Sequence, residues 1–281
     1  MKIERIKDMR FVKGATALHR YHRNPAGFIL SEESPERIEM RTLYERALPL
    51  ALTMLDNGET HLNVAIIGRL ASRSVVGALA QILIGNSLVG LDSELTTDLA
   101  HIDTLACPIA IVDGHSLSND VDLKPFQSIR KVYLLGETKH SVFTDEDRVT
   151  TVKFTKQSVT AVERKRVCEF ESEANKNQTM SYNFSSGSTG APKCQIMKNQ
   201  VPLERPQPPA TGLDKRIGKW QVAKMVYALK TRGIVAAITG NFNSFAVLQL
   251  CVYGIASTMR ATFIHLIQNE PESWAPLISQ V

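Results

Sequence analysis

Apolar positions along this chain switch between a helical and a strand spacing, and the switches divide it into elements. Tyr44, Ala47, Leu48, Ala51 and Leu55 recur at helical spacing and predict a helix over roughly 36–56. Pro49 lies inside that run, so the helix is expected either to kink there or to split in two. Asn57-Gly58 ends it. The run from Leu62 to Ile67 reads as a buried strand closed by Gly68. Ser72 is a candidate cap for a helix through Val75, Val76, Leu79, Ile82 and Leu83, which Gly85-Asn86 stops. Ser87 to Leu91 reads as a second strand, Glu94 to Ala106 as a helix, Pro108 to Val112 as a third strand and Lys131 to Leu135 as a fourth. Alternation of this kind predicts a mostly parallel sheet with helices on both faces.

The middle of the chain, 136–179, is polar and poorly periodic, and predicts surface connections with one short strand near Thr150 to Phe154. The stretch 201–214 holds four prolines and reads as an exposed linker or lid. A second alternating block follows. It has a helix over about 215–231 containing Trp220, Val222, Met225 and Leu229, then a strand from Ile234 to Ile238. A helix over about 244–253, a strand from Arg260 to His265 and a helix after Pro271 complete it. The expected division is a leading N-terminal segment (1–60), a first α/β lobe (61–200), the proline-rich linker (201–214) and an incomplete second α/β lobe (215–281). An unpaired sheet edge and exposed apolar surface are expected near Phe263 to Leu277.

Composition narrows the classes. Of 281 residues, 43% are hydrophobic and 22% charged, which fits a soluble globular protein and excludes a disordered chain or a disulfide scaffold. The most apolar stretch, Val75 to Leu91, contains Gln81 and Asn86 and is followed by Asp92, so no membrane span is expected. The charged N-terminus lacks the apolar core of a secretory signal. Cys107, Cys168, Cys194 and Cys251 are widely spread and form no CxxC pair. That argues against structural zinc and for a reducing compartment, the cytoplasm. His19 and His22 read as a solvated pair rather than metal ligands, so no metal site is expected. The net charge of +5 is mild, and Arg164-Lys165-Arg166 is soon followed by Glu169, Glu171 and Glu173. This is the pattern of a mixed-sign helix surface, and no nucleic-acid partner is expected.

One segment carries chemistry. A strand from Met180 to Phe184 runs into Ser185-Ser186-Gly187-Ser188-Thr189-Gly190-Ala191-Pro192-Lys193. Glycines and small hydroxyl residues let backbone N–H groups approach a polyphosphate, the hydroxyls add donors, and the lysine adds a point charge. The segment is neither a Walker A loop, since Pro192 precedes the lysine, nor a GxGxxG turn.

Phe184 to Lys193 resembles the phosphate-loop signature of the adenylate-forming, or AMP-binding, superfamily, which includes acyl-CoA synthetases, peptide-synthetase adenylation domains and luciferases. Every constrained position is identical or a Ser-for-Thr or Phe-for-Tyr change. Ile82 to Asp92 is similar to an earlier Leu-Lys-Ala-Gly-x-x-Tyr-Val-Pro-Leu-Asp segment of that family, with Gly85 and Asp92 in register and Gly90 where proline is usual. The resemblance implies an acetyl-CoA synthetase-like α/β large-domain fragment, with parallel-rich sheets flanked by helices in two lobes. It implies phosphate binding by Ser185, Ser186, Gly187, Ser188, Thr189, Gly190 and Lys193, with Lys193 also the catalytic candidate. It further implies ATP or AMP with magnesium, a carboxylic-acid substrate, and CoA or a carrier-protein phosphopantetheine as acceptor.

The chain departs from that family after the loop. Cys194-Gln195-Ile196-Met197-Lys198-Asn199-Gln200 stands where glycine and, a few residues on, histidine are common, and Tyr253 to Thr258 lacks the glutamate of the Tyr-Gly-x-Thr-Glu motif. The ribose-binding Thr-Gly-Asp and the lid lysine are absent. Phe242-Asn243-Ser244 is a candidate equivalent of a Phe-Asp pair, and the neutral Asn243 argues against an amino-acid substrate. The expected activity is ATP-dependent carboxylate adenylation, weak or absent in a truncated chain that lacks its C-terminal half or self-associates. The alternatives are a non-catalytic interaction or regulatory fragment, and an unrelated small phosphate-binding α/β protein.

Overall fold

The structure, a computed structural model, describes residues 11–13, 16, 18–19, 27–31, 34–68, 72–91, 99–117, 119–155, 158–170, 178–184, 194–199, 201–202, 234–238 and 261–266. Two short strands lead, β1 (Phe11–Val12) and β2 (Gly27–Ser31), followed by β3 (Ser34–Glu39). Helix α1 (Met40–Asp56) then runs into β4 (Asn63–Ile67), α2 (Ser72–Leu83) and β5 (Ser87–Leu91). Next come the single turn α3 (His101–Thr104), β6 (Ile109–Asp113), β7 (Val121–Asp122), β8 (Lys131–Leu135), β9 (Val142–Phe143) and β10 (Thr150–Phe154). Helix α4 (Ala161–Phe170) precedes β11 (Thr179–Phe184), β12 (Cys194–Lys198), β13 (Val201–Pro202), β14 (Ile234–Ile238) and β15 (Ala261–Leu266).

The central sheet has seven strands in the order β10-β8-β6-β4-β5-β11-β12. Its first six strands are parallel, and β12 closes one edge antiparallel to β11. The apolar runs that mark the inner strands β4, β5, β6 and β8 in the sequence follow from burial on both faces. On one face Val64, Ile66, Leu88 and Ile111 pack under α1 and α2. On the other, Ala65, Ile67, Val89 and Val112 pack with Leu99, Ile102 and Cys107. The strand order reverses between β4 and β5, because the chain leaves β5 to form β6 on the far side of β4. In open sheets of this class that reversal opens a crevice at the carboxyl ends of the strands.

A second, four-stranded sheet runs β14-β15-β2-β3, parallel except for the last pair. Strand β2, from before residue 40, thus pairs with β15, from beyond residue 260. Phe263 lies on β15, which is paired with β14 on one side and β2 on the other. The open edge expected at Phe263 is therefore filled by the N-terminal strand. The remaining pairs are β1 with β13 and β7 with β9.

Three local expectations change. Residues 34–39, assigned partly to the first helix, form β3, and the helix begins at Met40. Helix α1 passes through Pro49 without a break, and the Thr53 hydroxyl donates to the Pro49 carbonyl at 2.9 Å. Leu48, Leu50, Ala51 and Leu52 are all buried around the proline, so packing holds the turn that lost a backbone donor. Within the polar middle segment, 161–170 forms α4, whose Val167 is buried against the core while Lys165 and Glu169 pair on its exposed side. The predicted helices at 215–231, 244–253 and after Pro271 lie outside the described residues, as does the first part, 94–98, of the helix expected over 94–106; in the remainder His101–Thr104 is helical.

Candidate functional site

The carboxyl ends of β4, β6 and β8 meet the start of α2, and small residues clear the space there. Gly68 follows β4 with φ +139°, and an added Cβ would stand 2.5 Å from Ser116 Oγ. Gly136 follows β8 with φ +77°, and the Arg73 guanidinium carbon lies 2.8 Å from where its Cβ would be. Both backbone conformations are ones that side chains rarely tolerate.

Asp113, at the end of β6, is buried at 1% exposure. Its Oδ2 accepts the Ser74 N–H in the first turn of α2 at 3.2 Å, and its Oδ1 accepts the His115 N–H at 3.1 Å. Burial pushes the carboxyl above the usual carboxylate range, against the opposing pull of those donors and of Arg73. The carboxylate thus occupies an amide of α2 that an anion would otherwise use. Chain-order reading did not single out Arg73, Ser74, Asp113 or Ser116; the Asp-Gly-His-Ser turn after an apolar strand was the available signal.

Strand β11 lies parallel to β5, with Ser181 opposite Leu88 and Tyr182 opposite Val89. Phe184 pairs with Cys194 at the head of β12. Residues 185–193 therefore connect two paired strand ends at the same carboxyl edge, beside β5 and the switch point. The predicted phosphate-binding residues Ser185, Ser186, Gly187, Ser188, Thr189, Gly190 and Lys193 lie outside the described residues. Asn243 and Tyr253 to Thr258 also lie outside them. On β11 itself, Ser181 is buried and its hydroxyl has no hydrogen-bond partner among the described residues.

Among the described residues, no group of three or more His, Cys, Asp or Glu side chains could hold a metal ion. They offer no protein cage for the magnesium that the resemblance implies. Among the same residues no helix is long and apolar enough to cross a membrane.

The fold is similar to that of a natural red emitting luciferase from Phrixothrix hirtus, with a TM-score of 0.60 and 15% identity. The match covers 97% of this chain and 50% of the luciferase. It is also similar to the luciferase-like enzyme from the nonluminescent Zophobas morio mealworm, with a TM-score of 0.56 and 14% identity, over 96% of this chain and 61% of that one. The chain spans between half and about three fifths of the length of these neighbours. No family model matches the sequence, and no curated protein sequence matches it. The likeness establishes the fold, a mixed α/β architecture with a mostly parallel central sheet flanked by helices.

Proposed function

We propose that the chain is an adenylate-forming, AMP-dependent synthetase-like protein that binds the phosphates of ATP through residues 185–193. The observation that supports this reading lies in the strands on either side of that segment: Phe184 of β11 pairs with Cys194 of β12, and β11 lies beside β5, next to the strand-order reversal. In the proposed role the Ser185, Ser186, Ser188 and Thr189 hydroxyls and the glycine-flanked amides hold phosphate oxygens. Lys193 adds positive charge where pyrophosphate develops. The inherited reaction joins a carboxylate oxygen to the α-phosphorus of ATP and breaks the bond to the departing pyrophosphate. CoA or a carrier thiol would then take the acyl group with loss of AMP.

Nucleotide binding without turnover is the second reading. It is favoured by Cys194, which lies on β12 where the resemblance calls for glycine, and by the lack of the histidine that the resemblance calls for a few residues further on. Pyrophosphate release with fatty, aryl and amino acids separates the two. Release that disappears in Lys193→Ala supports the ligase; ATP binding with no release for any acid supports the non-catalytic reading. Absence of both binding and release would contradict the proposal.

A further inference from the structure

Two parts of the N-terminal segment and one helix of the first lobe bring a thiol, an imidazole and a phenol together on the α1 side of the sheet. His19 comes from the segment before β2, Tyr44 from α1 and Cys168 from α4. His19 Nδ1 lies 2.8 Å from the Tyr44 hydroxyl and 3.5 Å from Cys168 Sγ. The two rings meet edge-on, with centroids 5.9 Å apart and planes at 85°. The same helices are tied beside the cluster by an ion pair between Arg164 of α4 and Glu45 of α1. Those two are the charged groups that bear on Tyr44. His19, expected to be solvated, is half-buried instead, because the neighbouring Leu18 is buried in the core beneath α1.

We propose that Cys168 is an activated thiol and a site of oxidation by hydroperoxides, with His19 as its proton acceptor and Tyr44 as a donor to its thiolate. Nucleophilic thiols are made by a nearby base and by donors that hold the anion. Neutral imidazole at Nδ1 can take the thiol proton, leaving thiolate beside imidazolium. Tyr44 stays protonated, since burial and the neighbouring Cys168 both push its hydroxyl up, so once His19 Nδ1 carries the thiol proton the Tyr44 O–H is free to donate to the thiolate instead. Cys168 is half-buried, which leaves a path for a small oxidant. In the reaction the thiolate attacks one peroxide oxygen, an S–O bond forms and the O–O bond breaks. Sulfur is oxidised to the sulfenic acid, the peroxide is reduced, and the departing oxyanion takes the proton from the His19 imidazolium.

Two other cysteines provide standards within the same chain. Cys107 is buried and pushed up to about 12 by that burial, with Asp103 adding to the shift, so it is inert. Cys194 is exposed on β12 and reports ordinary access. Reactivity set by exposure alone would make Cys194 the faster of the two accessible thiols; an activated Cys168 reverses that order.

The test treats the intact chain with hydrogen peroxide at neutral pH, traps sulfenic acid with dimedone, and maps adducts by peptide mass spectrometry. Cys168 is expected to label about tenfold faster than Cys194. That lead should vanish in His19→Gln and shrink severalfold in Tyr44→Phe, with the Cys194 rate unchanged in both. It should also vanish in urea, where both thiols are equally free. Labelling of Cys168 no faster than Cys194 in the wild type would overturn the proposal whatever the variants do. A lead that survives in folded His19→Gln would overturn it too. Nucleotide enters none of these measurements, so the result stands apart from the proposed synthetase function.

Discussion

The two ends of the central sheet are built by opposite means. At the amino ends of the strands, long polar side chains reach across and staple one element to the next. Glu59 accepts from Lys131 Nζ at 2.6 Å and from the Tyr133 hydroxyl at 2.7 Å, and Asn57 donates to that hydroxyl at 3.2 Å. Asn86 accepts the Leu62 N–H and donates to the Glu59 carbonyl. At the carboxyl ends side chains are removed: Gly68 and Gly136 leave room, and Asp113 bonds backbone amides on its own edge. One end is closed by side-chain contacts, while the other keeps backbone close to the surface. Such an edge suits a site, because amides and small residues can approach a ligand while the opposite end holds the strands in register.

The largest expected effect comes from filling the cleared end. Gly68→Ala sets a methyl 2.5 Å from Ser116 Oγ on a backbone at φ +139°. It should cost about 3 kcal/mol in urea unfolding. Gly58→Ala, at φ +71° with nothing within 4 Å, isolates the backbone part and should cost only about 1 kcal/mol. Equal losses at the two positions would show that the carboxyl edge is no more crowded than an exposed turn. At the stapled end, Glu59→Gln removes the charge that Lys131 and Tyr133 share. Side-chain exposures of 23% for Lys131 and 14% for Glu59 leave the pair partly screened, so about 2 kcal/mol is expected. Between the ends, Ser181→Ala removes a buried hydroxyl that has no partner among the described residues and should raise stability by about 1 kcal/mol. A loss there would reveal a partner for that hydroxyl.

The finest distinction is in pH. Asp113 at the carboxyl end is raised by burial, so its contribution is full below the ordinary value of 3.8 and is lost as pH climbs through the raised folded value. Asp103 at the amino end is exposed; what burial it has raises it, but donors from Ser128 and Gln127 outweigh this and lower it overall. Its contribution is present above the ordinary value and is lost as pH falls through the lowered folded one. Stability differences of wild type against Asp113→Asn and against Asp103→Asn should therefore slope in opposite directions with pH. Parallel slopes would refute the contrast between the two ends.

How much of this was legible in the chain order follows from the physics of each part. Strands buried on both faces show themselves as apolar runs, so β4, β5, β6 and β8 stand where the pattern puts them; β14 and β15 also stand at their apolar runs. Strand β3 was hidden because Ser-Pro-Glu-Arg-Ile-Glu is polar and joins the helix that follows without a break. Strand β12 was hidden because Cys194 to Lys198 was read against a motif rather than for its alternation. The staples were out of reach altogether: Glu59 and Lys131 are 72 residues apart, and no local pattern joins them. The segment 185–193 was the reverse case. Its chemistry is plain in residue type and spacing, and the sheet supplies what sequence could not, namely that both flanking strands end at the switch-point edge.

The most direct test of the central claim is calorimetric titration of ATP into the wild type, Lys193→Ala and Lys198→Ala. Lys198 ends β12, five positions further on and exposed, and controls for the loss of any nearby positive charge. A phosphate-binding role for 185–193 predicts measurable, salt-sensitive affinity in the wild type. It predicts about a tenfold loss in Lys193→Ala, as expected for one charge-assisted contact, and little change in Lys198→Ala. No ATP binding by the wild type, or equal affinity in all three proteins, would contradict it.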